Sequence, residues 1–283
     1  QAINRSLLAS GAPISVMNLI RNQFSAIKGG RLAARCAPAR VATLVVSDVP
    51  GDDPAVVASG PTIPLAGTRS LARKYVSLYG IDLPPHAQAL LAGDDNLAPL
   101  ATDPALARNS VRTIASAALS LEAAAAQARE QGIEVAILSD SIEGEARDVA
   151  QVHAAIAKEV ATRNRPFSKP VVLLSGGETT VTLRGKGRGG RNAEFLLALA
   201  IAIDGSEGVT ALAADTDGID GSEDNAGAFV DGTTATRLRH AGIDPLAALA
   251  NNDAYSAFKA IGDLLVTGPT GTNVNDFRAI LVR

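Results

Sequence analysis

A chain of 283 residues with 47% hydrophobic content is long enough to bury a substantial core, and its length favours two domains. Charged residues make up 19% and the formal net charge is -3, which argues against nucleic acid and membrane surfaces as partners, since both select a basic excess. With aromatics at 3% and no Trp, stacking platforms for single strands are not expected, and the core must be built from Ala, Leu, Val and Ile.

The opening QAINRSLLASGAPI reads as a helix and turn in mid-domain, so the N-terminal part of a longer chain is expected to be absent here. Residues 2–9 and 13–35 read as helical, the second region interrupted at Gly29 and Gly30. Cys36, the single cysteine, cannot form an internal disulfide, which suits a reducing cytoplasm; in ARCAPARV it reads as a small buried hydrophobe. No signal peptide is expected, nor a membrane span, since no stretch reaches 18 uninterrupted apolar residues. VATLVV, residues 41–46, has the β-branched character of a buried parallel strand and runs into the Gly-, Pro- and Asp-rich SDVPGDDPAVVASGPT. Helices are expected over 69–79 and 85–92. The polar, Pro-rich AGDDNLAPLATDPALARN then places a domain boundary near Arg108, giving domains 1–107 and 108–283.

Beyond it the rhythm is regular. Strands are expected at 111–116, 135–139, 171–174, 180–183 and 209–213, and helices at 119–131, 143–163 and 192–203. Alternation of this kind implies an α/β fold built from βαβ units, with two α/β domains and mostly parallel or mixed sheets. Ligands of such sheets sit at the carboxyl ends of strands, where SDVPGDD, LSGGETT and AADTDGIDG lie.

The segment RGKGRGGRN gathers Arg184, Lys186, Arg188 and Arg191 among Gly185, Gly187, Gly189 and Gly190, just before the apolar helix FLLALAIAI. Glycines permit close backbone approach, and a helix start at Arg191 and Asn192 offers free N–H groups, so phosphate or carboxylate is the natural ligand. A solvated surface loop is the plainer alternative. Gly185, Gly187 and Gly190 also fit G-x-G-x-x-G, a weak signal alone, and His86, His153 and His240 lie in helical stretches as surface residues rather than proton shuttles. No G-x-x-x-x-G-K-[ST] is present, so this is not a P-loop enzyme.

In ADTDGIDGSEDN, Asp217 and Asp220 are candidates to hold a nucleotide-bound Mg2+, which needs only one or two carboxylates; an Asp-rich turn is the equal alternative. Asp48 and Asp52, just past a strand, are candidate acceptors for a substrate hydroxyl proton, whereas helix capping accounts for Asp53. Thr270, Thr272, Asn273 and Asn275, in a loop that also carries Asp276, make a neutral hydrogen-bonding lining for phosphate or sugar hydroxyls. Lys28, beside the Gly pair of IKGGRLA, is either an anion ligand or part of a helix kink.

LSGGETTVTLRGKGRGGRNAE, ALAADTDGIDG and DLLVTGPTGTNVNDFRAILV resemble the C-terminal module of the glycerate 2-kinases, the MOFRL family, over about residues 168–282. SAIKGGRLA and VVSDVPGDDPAVVASGPT are similar to the N-terminal domain of the same enzymes, so the resemblance covers nearly the whole chain. Members are also widely labelled hydroxypyruvate reductases of the tartrate-utilisation type. The resemblance implies ATP-dependent phosphorylation of D-glycerate to 2-phosphoglycerate with a divalent cation, and two α/β domains with the active site in the cleft between them. The family's conserved arginine in GGRN-x-E falls on Arg191, flanked by Gly176, Gly177, Glu178, Gly187, Arg188, Gly189, Gly190 and Asn192 as substrate- or phosphate-binding residues. The family's proposed catalytic lysine belongs to an N-terminal region that this chain is expected to lack. Two positions depart from the pattern: Ala193 replaces Gln and Asp215 replaces the Gly before TDG. Expectations are therefore a cytoplasmic glycerate kinase using ATP and Mg2+, compatible with a homodimer. The alternatives are an NAD(P)H-dependent hydroxypyruvate reductase and a non-catalytic nucleotide-binding fragment.

Overall fold

The computed structural model describes residues 2–65, 67–93, 99 and 102–283, so much of the expected boundary segment lies outside the described residues. Two compact units emerge, Gln1–Val45 with Asp53–Ile114, and Val46–Asp52 with Ala115–Arg283. The break thus falls after Ile114, beyond the expected position near Arg108, and most of SDVPGDD packs with the second unit rather than the first. No helix among the described residues is long and apolar enough to cross a membrane.

The first unit holds helices α1 (Ala2–Ala9), α2 (Ile14–Gln23), α3 (Arg31–Cys36), α4 (Arg69–Leu78) and α5 (Pro85–Ala92). Leu7, Ile20, Ala72, Leu83 and Leu91 form its core. The helical stretch expected over 13–35 divides into α2 and α3, because Gly29 and Gly30 take left-handed φ values of 65° and 80°. Strands β1 (Ala42–Val46) and β2 (Ser110–Ala115) make a two-stranded sheet, joined by Ser110 N–H to Val41 O and Ser47 N–H to Ala115 O, and therefore run the same way. The expected buried strand is instead largely open, with Leu44 66% exposed, because two strands leave a face uncovered. Cys36 is exposed too: it ends a single-turn-and-a-half helix and does not reach the core.

The second unit is a three-layer α/β structure. Its elements are α6 (Ala117–Glu130), β3 (Glu134–Glu145), α7 (Ala146–Arg163), β4 (Val171–Thr180), α8 (Arg191–Ala202), β5 (Val209–Asp215), β6 (Gly227–Asp231), α9 (Thr234–His240), α10 (Pro245–Ala250), α11 (Ala254–Ile261), β7 (Leu264–Leu265) and β8 (Asp276–Val282). The sheet order is β3-β4-β8-β5-β6-β7. Strand alternation sends Val171, Leu173 and Ile280 to the face covered by α7 and α8, and Leu174, Phe277 and Ala279 to the face covered by α6. Helix α8 is buried from Asn192 to Ala200, as an all-round apolar helix must be.

Within the six-stranded sheet β3 and β4 pair in parallel and the other described pairs are antiparallel, so this sheet is mixed, one of the two forms expected. The reason is local. The β4–α8–β5 crossover gives two strands of like direction, as the βαβ rhythm implies, but leaves a one-strand gap that β8 fills in the opposite sense. The course of SGGETT does differ from expectation. Strand β4 does not stop at Leu174 but runs through these residues, and no separate strand forms over 180–183. Gly176 pairs with Phe277 and Gly177 with Asp276. Register shifts in β3 between Ile137 and Ile142 push its backbone onto Gly177, where a Cβ would stand 2.2 Å from Ile142 O. Strand β3 also continues to Glu145, so α7 begins three residues later than expected.

Asp220 caps α8 from a distance: its Oδ1 accepts the Asn192 N–H at 2.9 Å and its Oδ2 the Ala193 N–H at 2.8 Å. Burial pushes its pKa up to about 6, against the pull of those N–H groups.

Two outcomes follow from this packing. Gly177→Ala puts a side chain into Ile142 at a φ of 119°, and should lower the unfolding free energy by more than about 2 kcal/mol in a denaturant titration. The folded unit holds the Asp220 proton more tightly than the unfolded chain does, so stability from this group is complete below about pH 4 and is lost as pH rises through about 6. Wild type should therefore lose up to about 3 kcal/mol relative to Asp220→Asn between pH 4 and pH 8; a difference that stays flat with pH would disprove the shift.

Candidate functional site

The site is organised on a buried carboxylate. Asp276 opens β8 opposite Gly177, and its side chain is fully buried. Its Oδ1 accepts Arg191 Nε at 2.7 Å and Asn192 Nδ2 at 2.8 Å. Its Oδ2 accepts the Thr179 N–H at 3.2 Å, the Thr179 hydroxyl at 3.3 Å, and the buried Arg278 guanidinium. Arg278 in turn stacks over the Phe195 ring, 5.2 Å from its centroid. One anion thus lies between two arginines and binds β4, α8 and β8 together.

Arg191 projects from the first turn of α8 and meets two further carboxylates. Nη1 donates to Glu178 Oε1 and Nη2 to Asp215 Oδ2, each at 2.9 Å. The three acids differ in exposure: the Asp276 side chain is 0% exposed, Asp215 8% and Glu178 48%. Burial works against the Arg191 charge, but Asp276, Asp215 and Glu178 outweigh it and hold its pKa above the ordinary arginine value. Burial pushes Asp215 up to about 7, opposed by the Asp217 N–H and Arg191 and reinforced by the charges of Asp217 and Asp276. A cavity of about 390 Å³ opens here, lined by Thr179, Thr180, Gly190, Arg191, Asp215 and Asn252. That volume lies within the range of small-molecule sites.

The basic glycine loop is used differently from the expectation. Its backbone N–H groups turn inward. Arg184 and Gly185 donate to Asn252 Oδ1 at 2.8 and 3.0 Å, Lys186 to Asn251 Oδ1 at 3.1 Å, Gly187 to Asn251 O at 2.9 Å, and Arg188 to Asp253 Oδ1 at 3.0 Å. The glycines serve this docking: a Cβ at Gly185 would stand 2.2 Å from Asn251 O, and one at Gly187 2.4 Å from the Asp253 side chain. Gly189 and Gly190 line the cavity, but a Cβ at Gly190 would strike Asp220 at 2.4 Å. With Asp220 on the first turn of α8, the helix start is already satisfied by an internal anion. Arg188 pairs with Glu223 and stacks on Tyr255. Arg184 and Lys186 are exposed, and their side chains have no partner among the described residues.

The remaining candidates fall into groups. Gly176 and Gly177 are buried within β4, while Glu178 reaches Arg191. Thr270 binds the acidic loop, its N–H to Asp217 O at 2.9 Å and its hydroxyl to Thr216 O at 2.6 Å. Asn275, buried at a left-handed φ of 68°, donates its amide to Asp48 O at 2.7 Å and its N–H to Asn273 Oδ1 at 2.8 Å. SDVPGDD, the acidic loop and the Thr/Asn loop are thereby stitched together. Thr272 and Asn273 are exposed. Asp52 adopts a left-handed φ of 51° and donates its N–H to Val49 O. Lys28 lies in the first unit, its Nζ 3.3 Å from Ser59 Oγ.

Among the described residues no group of three or more His, Cys, Asp or Glu side chains is arranged to hold a metal. Asp220 is spent on α8. Asp217 accepts the Ile219 N–H on Oδ1 at 2.8 Å and is only half-buried, so a cation brought by a ligand's phosphates would find one carboxylate here. His153 is buried, not on the surface, with Nδ1 against Val149 O and Nε2 against Ser175 Oγ; His86 and His240 are exposed.

Sequence reasoning missed Asn251, Asn252 and Asp253, and gave Asp276 and Arg278 no specific role. The available signals were an Asn-Asn-Asp run able to accept several N–H groups, and an Arg alternating with apolar residues in DFRAILV, which puts it on an inward face.

The MOFRL family model matches residues 171–276, and the model described as "Domain of unknown function (DUF4147)" matches residues 1–92. A relative from Agrobacterium vitis with a provisional hydroxypyruvate reductase name is 54% identical over 291 residues, covering 100% of this chain and 73% of its own length. The D-glycerate 2-kinase of Thermotoga maritima is 43% identical over 276 residues, covering 98% of this chain and 64% of that protein. A crystal structure of glycerate kinase from Thermotoga maritima has a TM-score of 0.89 at 42% identity, over 99% of this chain and 66% of that one. The chain spans about two thirds of the length of these kinases. It belongs to the glycerate 2-kinase family, the MOFRL-bearing group that also includes proteins named hydroxypyruvate reductase, and it has their mixed α/β fold.

Proposed function

We propose that this chain carries the chemistry of a glycerate kinase, transferring the γ-phosphate of ATP to D-glycerate to give 2-phosphoglycerate. The observation that carries this reading is Arg191, fixed by Asp276 and facing a cavity of about 390 Å³, in a chain whose relatives include glycerate kinases. Phosphoryl transfer asks the protein chiefly for positioning and for positive charge beside the transferring group.

Arg191 supplies that charge. Its position is held from below by Asp276, while its outer nitrogens are paired with Glu178 and Asp215. Glu178, the most exposed of the three acids, is the one that gives way to an incoming phosphate. Asp48 or Asp52 accepts the proton of the substrate hydroxyl, and Thr272 and Asn273 supply neutral hydrogen-bonding groups beside Thr270, which holds their loop to Thr216 and Asp217. Asp217 is the carboxylate that would meet a nucleotide-bound Mg2+, which would supply charge neutralisation at the phosphates. A cytoplasmic setting is in keeping with the lone thiol.

A hydride-transfer reading is less well supported. The G-x-G-x-x-G glycines are packed against Asn251, Asp253 and Asp220, with Gly189 against Ala254 and Tyr255, and the N–H groups of residues 184–188 are bonded to Asn251, Asn252 and Asp253. His153 is buried against Ser175 and cannot shuttle protons to a substrate.

With D-glycerate, ATP and Mg2+, a coupled assay should register ADP, and hydroxypyruvate with NADH should give no NADH loss. The reverse pattern would overturn the kinase reading, and retained ATP binding without turnover would mark a non-catalytic module. Arg191→Ala should lower kcat/KM by about 10³-fold or more with an unchanged circular dichroism spectrum. Near wild-type turnover in that variant would remove Arg191 from the mechanism.

A further inference from the structure

An arginine that serves an anionic ligand is normally left open toward it. Arg191 is not. Its Nε edge is closed by Asp276, Nη1 by Glu178 and Nη2 by Asp215. These acids are not equivalent to an incoming anion. Asp276 is beneath the guanidinium and inaccessible. Glu178 is half-exposed and lies at the solvent edge of the cluster. Asp215 is neither: it ends β5, its backbone pairs with Asp276, and its N–H is bonded to Ala226 O at 2.8 Å. Its Oδ1 accepts the Asp217 N–H at 3.2 Å, so the carboxylate is pinned while Oδ2 remains on Arg191. It also lines the cavity.

We propose that Asp215 is a specificity-determining residue, a fixed internal anion that denies ligands the Nη2 edge of Arg191 and sorts them by charge. An anion entering the cavity then gains one edge of Arg191, by displacing Glu178, rather than the two-pronged grip a guanidinium otherwise offers. It also meets a nearby negative charge that cannot move away. That repulsion scales with ligand charge, so a dianion such as a phosphate or sulfate group is penalised as the square of the factor felt by a singly charged carboxylate. The site would thereby take up a monoanionic hydroxy acid while releasing dianionic phosphoryl groups readily. This inference rests on the reading of Arg191 as the anion-binding centre, but not on turnover.

The test compares sulfate and formate as probes, with the full chain at pH 8 and no nucleotide, affinities being taken from ligand-dependent unfolding temperatures. Asp215→Asn keeps the shape and removes the charge. It should tighten formate about fivefold and sulfate about 25-fold. Asp215→Glu, which keeps the charge, should stay close to the wild-type ratio. Should Asp215→Asn fail to fold, Asp215→Gly carries the same comparison. Equal changes for the two anions, or no change for sulfate, would overturn the proposal. Because no phosphoryl transfer is measured, a failure here is separable from a failure of the kinase reading, which the ADP assay decides.

Discussion

The arrangement depends on a carboxylate buried between two guanidinium groups. Taking Asp276 out of water is costly unless every lone pair is used, and here Arg191, Arg278, Asn192 and Thr179 use them. The compensation is collective. Loss of the Asp276 charge would leave Arg278 buried and uncompensated against Phe195, an error that typically costs about 3–5 kcal/mol. The same residue joins the start of the central strand to the first turn of α8. What holds the sheet together therefore also aims the cation that faces the cavity.

Around that centre, charge is spent internally more than it is displayed. The glycine loop looks from its composition like an anion cradle, with backbone amides ready for phosphate. Instead the amides face Asn251, Asn252 and Asp253, and Asn252 links onward to Glu194, which is held by Arg147. The loop is a rigid wall of the cavity. Its rigidity suits electrostatic preorganisation, in which the ligand meets dipoles and charges that need not rearrange.

Local signals were legible where one element decided its own fate. The helices at 2–9, 117–130 and 191–202 and the strands at 110–115 and 209–215 are readable from periodicity, caps and Gly stops. Arg191 was legible as well, from its place between a Gly run and an apolar helix. What escaped depends on partners distant in sequence. SGGETT carries three small residues that read as a loop, yet Gly176 and Gly177 are small because strands on both sides press on them. Asp220 reads as a cation ligand until α8 is seen to start upon it. The direction of β8 cannot be read from its own residues; it is fixed by the gap that the β4–α8–β5 crossover leaves.

That gap has a kinetic side. The strand that fills it aligns Val282 with both Val171 and Val209, so the sheet closes only when segments on the order of a hundred residues apart find each other. Loop closure over such distances is slow compared with forming α6, β3, α7 and β4, which are neighbours along the chain. Until the central strand arrives, β4 and β5 each present an open edge, and the Arg191 guanidinium has no floor to rest on. Seating β8 in the sheet and setting Asp276 beneath Arg191 are one and the same step.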